Sequence, residues 1–163
     1  MDVKGSRMYH ARCALALLAL SAVPFWTKAA SETIYDEKAD AQKLISAAIT
    51  EATRTHKNIV LDFGANWCGD CHALDAEMRK PELASLIEKN YVVVHVDVGR
   101  FDKNLDIARK YGVPLKKGIP ALAVLDPHGK LLYAQDQGQF EDAGHMDYES
   151  FKAFFEQWKP KGS

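Results

Sequence analysis

Cysteine is scarce here: the chain has three in 163 residues. A small exported domain stapled by disulfides carries several separated pairs, so a disulfide scaffold is a poor description of it. Neither sign of charge is in excess. The net charge of -1 gives no electrostatic footing for nucleic acid or for an anionic membrane surface. No apolar run reaches the roughly 20 residues that cross a bilayer, and there is no internal repeat or low-complexity tract. What remains is 47% hydrophobic and 26% charged, the make-up of a globular chain long enough for one domain with a core.

The first residues differ from the rest. Lys4, Arg7 and Arg12 precede a short apolar run over residues 13–26, with small residues beyond it. That is the pattern of a secretory signal, with Ala29 and Ala30 as candidate cleavage positions. Residues 1–29 are therefore expected to be a signal, 30–38 an N-terminal extension and 39–159 the domain. No stable membrane insertion is expected once the signal is removed; an uncleaved anchor is the alternative. Cys13 leaves with the signal, and the exported chain keeps Cys68 and Cys71 alone. A pair three residues apart closes a loop too small to restrain much unfolded chain, so its purpose is chemical.

Periodicity gives the order of elements. Leu44, Ile45, Ala48, Ile49 and Ala52 recur at helical spacing within residues 39–55. Residues 58–64, NIVLDFG, form a short apolar, β-branched run, as a buried strand does. A helical stretch at 71–80 is stopped by Pro81, which opens the next helix at its first turn. Residues 91–98 read as a strand, 104–112 as a short helix closed by Gly112, and 121–126 and 130–135 as two strands. The two strands are joined by a turn at Asp126-Pro127-His128-Gly129. Phe151, Phe154, Phe155 and Trp158 lie on one side of a final helix at 148–158. Alternation of strand and helix implies a parallel core, and the last hairpin adds an antiparallel edge.

Cys68 falls just after the first strand and at the start of a helix, where unpaired N–H groups and the helix dipole favour an anion. Such a position lowers the pKa of a cysteine, and the thiolate is the attacking species in disulfide exchange. Cys71 lies about one turn on, within disulfide reach. Cys68 is thus expected to be the exposed nucleophile and Cys71 the buried resolving thiol. Two other readings stay open. Cys68, Cys71 and His72 form C-x-x-C-H, the spacing that attaches a c-type haem, with Met78, Met146 or His145 available as a distal ligand. Two cysteines and a histidine also suit soft Cu(I) or Zn(II).

Residues 60–71, VLDFGANWCGDC, residues 110–126, KYGVPLKKGIPALAVLD, and the order of elements together resemble the thioredoxin superfamily. The resemblance runs from about Ala39 to Trp158. It implies an α/β thioredoxin fold, a single domain with a central mixed sheet flanked by helices. It implies that Asp62, six residues before Cys68, handles the proton of the resolving cysteine. Burial in an apolar strand disfavours a charged carboxyl, which suits a proton acceptor. It also implies a cis bond at Ile119-Pro120 beside the cysteines, with Trp67, Ile119 and Pro120 contacting an extended substrate.

The chain departs from thioredoxin at Asp70, between the cysteines where proline is usual, and at His72, expected to be a polar residue on the exposed side of its helix. It departs again at Val93, which aligns with a buried lysine that partners the aspartate, and in two enlarged loops, 99–104 and 113–117. These details are closer to exported thioredoxin-like proteins of bacterial envelopes, which implies a periplasmic or secreted location. The expected activity is dithiol–disulfide exchange on protein substrates, as a reductant, with no cofactor or metal beyond the Cys68–Cys71 couple. A membrane-bound electron donor would recharge it. Asp70 and His72 would tune the couple, since a permanent negative charge opposes the thiolate and a largely neutral imidazole only partly offsets it. A copper-handling protein of the same fold is the alternative.

Overall fold

Asn58–Gly64 is buried at every position, which suits the middle of a sheet rather than its edge. In the computed structural model, which describes Met1 and residues 33–161, this strand is β1. It lies between β2 (Tyr91–Asp97) and β3 (Ala121–Leu125), with β4 (Leu131–Ala134) outside β3. Residues 2–32, which hold the basic and apolar run read as a signal, are outside the described residues.

The sheet is mixed, but its core is not parallel. Only β1 and β2 run parallel, from Asn58 opposite Tyr91 to Gly64 opposite Asp97. β3 is antiparallel to β1, with Phe63 opposite Ala121, and β4 is antiparallel to β3. The alternation misleads because the two connections differ in reach. α2 (Gly69–Met78) and α3 (Pro81–Asn90) have ten residues each, about 15 Å apiece, and together return the chain to the start of the sheet. α4 (Leu105–Lys110) has six residues, about 9 Å, against about 23 Å for a seven-residue strand. The chain therefore stays at the end where β1 and β2 finish, and β3 departs from there. That detour brings Ile119 and Pro120 to the same end of the sheet as Cys68.

α1 (Ala41–Thr55) begins at Asp40, whose carboxylate accepts from the Lys43 N–H at 3.1 Å, and stops at His56 in the left-handed region. Ala41, Ile45, Ala48 and Ala52 are its buried face; Leu44, expected among them, is 41% exposed. α1 and α4 cover Ile59, Leu61 and Phe63 on one face of the sheet. Val60, Leu122 and Val124 face α2, α3 and α5 (Tyr148–Gln157) on the other. Phe151 and Phe155 of α5 are fully buried, and Phe154 and Trp158 flank Tyr133 with ring centroids 5.3 and 5.0 Å away. Each fully buried aromatic contributes about 1.5–3 kcal/mol.

The segment ahead of α1 also reaches the core. Tyr35, within the stretch read from sequence as an extension, is fully buried. Asn66 staples it there: Oδ1 accepts from the N–H groups of Ile34 and Tyr35, at 3.1 and 3.0 Å, and Nδ2 donates to the Tyr35 carbonyl at 2.8 Å.

Candidate active site

β1 ends at Gly64, a turn closes with the Cys68 N–H donating to the Ala65 carbonyl at 3.0 Å, and α2 starts at once. Cys68 is the N-cap of α2, and its Sγ accepts from the Cys71 N–H at 3.1 Å. α2 therefore begins at Gly69, earlier than the periodicity suggested, because the cap is a sulfur rather than an Asp or Ser. Cys68 and Cys71 are joined in a disulfide with Cα atoms 5.2 Å apart. Cys71 is fully buried, as expected. Cys68 is not openly exposed; it retains 5% of its surface in this oxidised pair.

The reason is the loop before β3. The Ile119–Pro120 bond is cis, and the Ile119 carbonyl oxygen lies 3.5 Å from Cys68 Sγ. Gln135, buried at the end of β4, braces this loop. Its Nε2 donates to the Pro120 carbonyl at 3.3 Å and its Oε1 accepts from the Leu122 N–H at 3.2 Å. Sequence reasoning passed over Gln135, although a polar residue closing a strand run is a signal of this kind.

Trp67 stands on the open side, 49% exposed. Its indole N–H donates to the Gly99 carbonyl at 2.8 Å, its ring meets Phe101 edge-on at 5.9 Å, and the Arg100 guanidinium lies over it at 5.8 Å. The loop at 99–104 thus supports Trp67, and together with 113–117 it bounds an apolar groove of about 600 Å³ lined by Phe101, Leu105, Val113, Pro114 and Leu115.

The buried side of the disulfide is polar. Asp62 is 1% exposed; its Oδ2 accepts from the Tyr35 hydroxyl at 2.9 Å and faces His95 Nδ1 at 2.9 Å. Its Oδ1 is buried and has no hydrogen-bond partner. Val93, aligned with the partner of the aspartate, is a correction: it lies opposite Val60, and His95 lies opposite Asp62. Gly64 makes room for the tyrosine. A Cβ there would collide with Tyr35 Oη and stand 2.9 Å from Cys71 Sγ. Burial, and then the negative charge of Asp62, hold the Tyr35 hydroxyl far above its ordinary pKa. Burial pulls His95 down, but its hydrogen bond to Asp62 and the charges of Asp62 and Asp75 outweigh that and leave it raised.

Asp70 sits in the first turn of α2, and its Oδ1 accepts from the Gly144 N–H at 2.9 Å. His72 is not on an exposed face. It is half-buried, with Nε2 2.8 Å from the Asn66 carbonyl, so Nε2 carries the proton there. Of the residues considered as distal haem ligands, Met78 is buried in the core beneath α2 and α3, Met146 packs against the same cluster, and His145 pairs with Asp142 at the surface. Among the described residues no three His, Cys, Asp or Glu side chains are grouped to hold a metal ion.

Residues 40–127 match the family model described as thioredoxin-like. The chain is similar to the crystal structure of a disulphide isomerase from Xylella fastidiosa Temecula1, with 41% identity, a TM-score of 0.75 and coverage of 78% of this chain and 98% of that one. It is similar in fold to a thioredoxin from Thermus thermophilus at 20% identity and a TM-score of 0.52, covering 69% of this chain and 81% of that one. Over 116 residues it is 31% identical to a protein disulfide-isomerase of Ricinus communis, covering 69% of this chain but only 22% of that protein. The chain spans about a quarter or less of that relative and of a probable nucleoredoxin 3 of Oryza sativa subsp. japonica, to which it is 31% identical over 111 residues, covering 56% of this chain and 24% of that protein.

Proposed function

The chain belongs to the thioredoxin-like family, and we propose that it exchanges dithiols for disulfides on protein substrates, working as a reductant. The observation that carries the reading is the Cys68 sulfur, which caps α2 through the Cys71 N–H and faces the backbone of the cis-proline loop. In the reduced protein that N–H and the helix end stabilise a Cys68 thiolate.

The thiolate attacks one sulfur of the substrate disulfide, whose other sulfur leaves as a thiolate. Cys71 then loses its proton to Asp62 and attacks Cys68 Sγ. The Cys68–substrate bond breaks, the second substrate thiolate leaves, and the Cys68–Cys71 disulfide remains. Trp67 and the Ile119 backbone hold the substrate as an added strand, and the groove beside Phe101 takes its apolar side chains. No cofactor beyond the cysteine couple takes part. The basic and apolar N-terminal run supports export to a periplasm or beyond, where a membrane-bound carrier would return electrons to the couple.

Asp70 supports the direction. Its negative charge in the first turn of α2 opposes the thiolate, which favours a couple nearer the reducing end, about -270 mV, than the oxidising end, about -120 mV. Equilibration of the Cys68–Cys71 couple with glutathione tests this. A value above about -170 mV would reject the reductant role, and Asp70→His should shift the couple toward oxidation. Failure to reduce insulin at all would reject the exchange activity.

A further inference from the structure

The exchange reading leaves a proton to be moved, and the buried groups offer one way out. Resolution takes the proton from Cys71, which has no exposure, and Asp62, linked to it through the Tyr35 hydroxyl, has 1%. Cys71 Sγ and Tyr35 Oη both lie within 3 Å of the point where a Gly64 Cβ would stand, so the thiol and the tyrosine share one small space. Tyr35 is itself fully buried. In this chain of contacts only the His95 side chain, 30% exposed, touches both Asp62 and the surface.

We propose that Tyr35, Asp62 and His95 form a single proton path, in which His95 releases a proton to solvent as Asp62 takes one from Cys71 and Tyr35 positions the carboxylate. The proposal rests on the dithiol exchange described above. As Cys71 Sγ bonds to Cys68 Sγ and the Cys68–substrate bond breaks, the electron pair leaves on the substrate sulfur and the Cys71 proton goes to Asp62. As Asp62 becomes neutral, the His95 imidazolium, which donates Nδ1–H to Oδ2, loses its anionic partner and releases the proton of its other nitrogen to water; Asp62 returns its proton to Cys71 when the disulfide is reduced again. Oδ1, buried and unpartnered, is free to receive the thiol proton while Oδ2 faces Tyr35 and His95. The hydroxyl stays protonated because burial opposes its ionisation, so it remains a donor to Oδ2 throughout.

An imidazole suits this place where a permanent cation would not, because it gains and loses a proton near neutrality. The charges that set its titration are Asp62 on β1, Asp75 on α2 and Arg79 at the end of α2; the Tyr35 ring meets it edge-on at 5.5 Å, and Asp36 and Glu51 line the groove that it also lines. His95 and Tyr35 are positioning and relay residues, since both act through Asp62.

Stopped-flow mixing of the reduced protein with dithiobis(nitrobenzoate) separates the steps. The first thionitrobenzoate released reports attack by Cys68, and the second reports resolution by Cys71. His95→Gln should slow the second phase roughly tenfold near pH 7 and abolish its inflection with pH, leaving the first phase unchanged. Added imidazole should recover the second phase of His95→Gly. Tyr35→Phe should slow that phase about threefold while keeping the inflection. A wild-type second phase and pH profile in His95→Gln overturns the proposal, as does equal slowing of both phases. Should these variants not fold, the wild-type protein decides: the inflection of the second phase with pH should coincide with the titration of the His95 ring followed by NMR, and an inflection that does not follow that ring overturns the path. Release of only one equivalent by the wild-type protein would instead remove the exchange reading, and this proposal with it.

Discussion

Cys68 and Cys71 are three residues apart and sit in unlike surroundings. Around Cys68 the contacts are main-chain groups, the Cys71 N–H and the Ile119 carbonyl, with the exposed Trp67 alongside. Behind Cys71 lie side chains from distant parts of the chain: Tyr35 from ahead of α1 shares the Gly64 notch with its sulfur, and bonds Asp62 of β1, which in turn faces His95 of β2. Main-chain dipoles do not titrate, so attack should depend on pH only through the thiol itself. Side chains do titrate, so resolution should carry a pH dependence of its own. Two steps of one reaction thus come under separate control within a single helical turn.

The cysteines test that division most severely. Cys68→Ser should lower exchange by at least about a thousandfold. Cys71→Ser should retain the first attack and trap a mixed disulfide visible on a non-reducing gel. Trapping by the Cys68 variant instead would reverse the two surroundings. Next comes Asp62→Asn, expected to slow resolution about a hundredfold near neutral pH while sparing attack. Insulin reduction at the wild-type rate from about pH 6 to 9 would remove Asp62 from the proton route.

Gly64→Ala should then cost about 1–3 kcal/mol of stability in urea unfolding, because the added methyl meets Tyr35 and Cys71. It should also blur the comparison by pushing the tyrosine away from Asp62. The smallest effect concerns stability against pH. His95 is raised in the folded state, so its charged pairing with Asp62 stabilises fully below the unfolded value of about 6.5 and is lost as pH rises through the folded value. The melting temperature of wild type should therefore exceed that of His95→Gln most at about pH 5–6, with the gap closing above neutrality. A gap that widens with pH would contradict the pairing.

Much of this was legible in the residues. β1 and α3 follow from an apolar run and an N-terminal proline, and the aromatic face of α5 from its spacing. Asp62, Trp67, Ile119 and Pro120 were reachable through resemblance, and the structure places them around the cysteine pair. What stayed hidden depended on tertiary register. The partner of Asp62 is fixed by strand starts at Asn58 and Tyr91, and counting from those starts leads to His95 rather than Val93. Tyr35 carried no periodic signal, because it belongs to no helix or strand and is held by one asparagine. The orientation of β3 was misjudged because alternation says nothing of how far a six-residue helix can carry the chain.

The staple at Asn66 has a practical consequence for anyone who trims this protein. The family match begins at residue 40, five positions after Tyr35, so a fragment cut at that boundary keeps every strand, both cysteines and the cis-proline. It would nonetheless leave Asp62 without its hydroxyl donor, Asn66 without the strap it clasps, and an open notch beside Gly64 where water can enter. Such a fragment would look whole by homology and would lack the inner wall of its own reaction chamber.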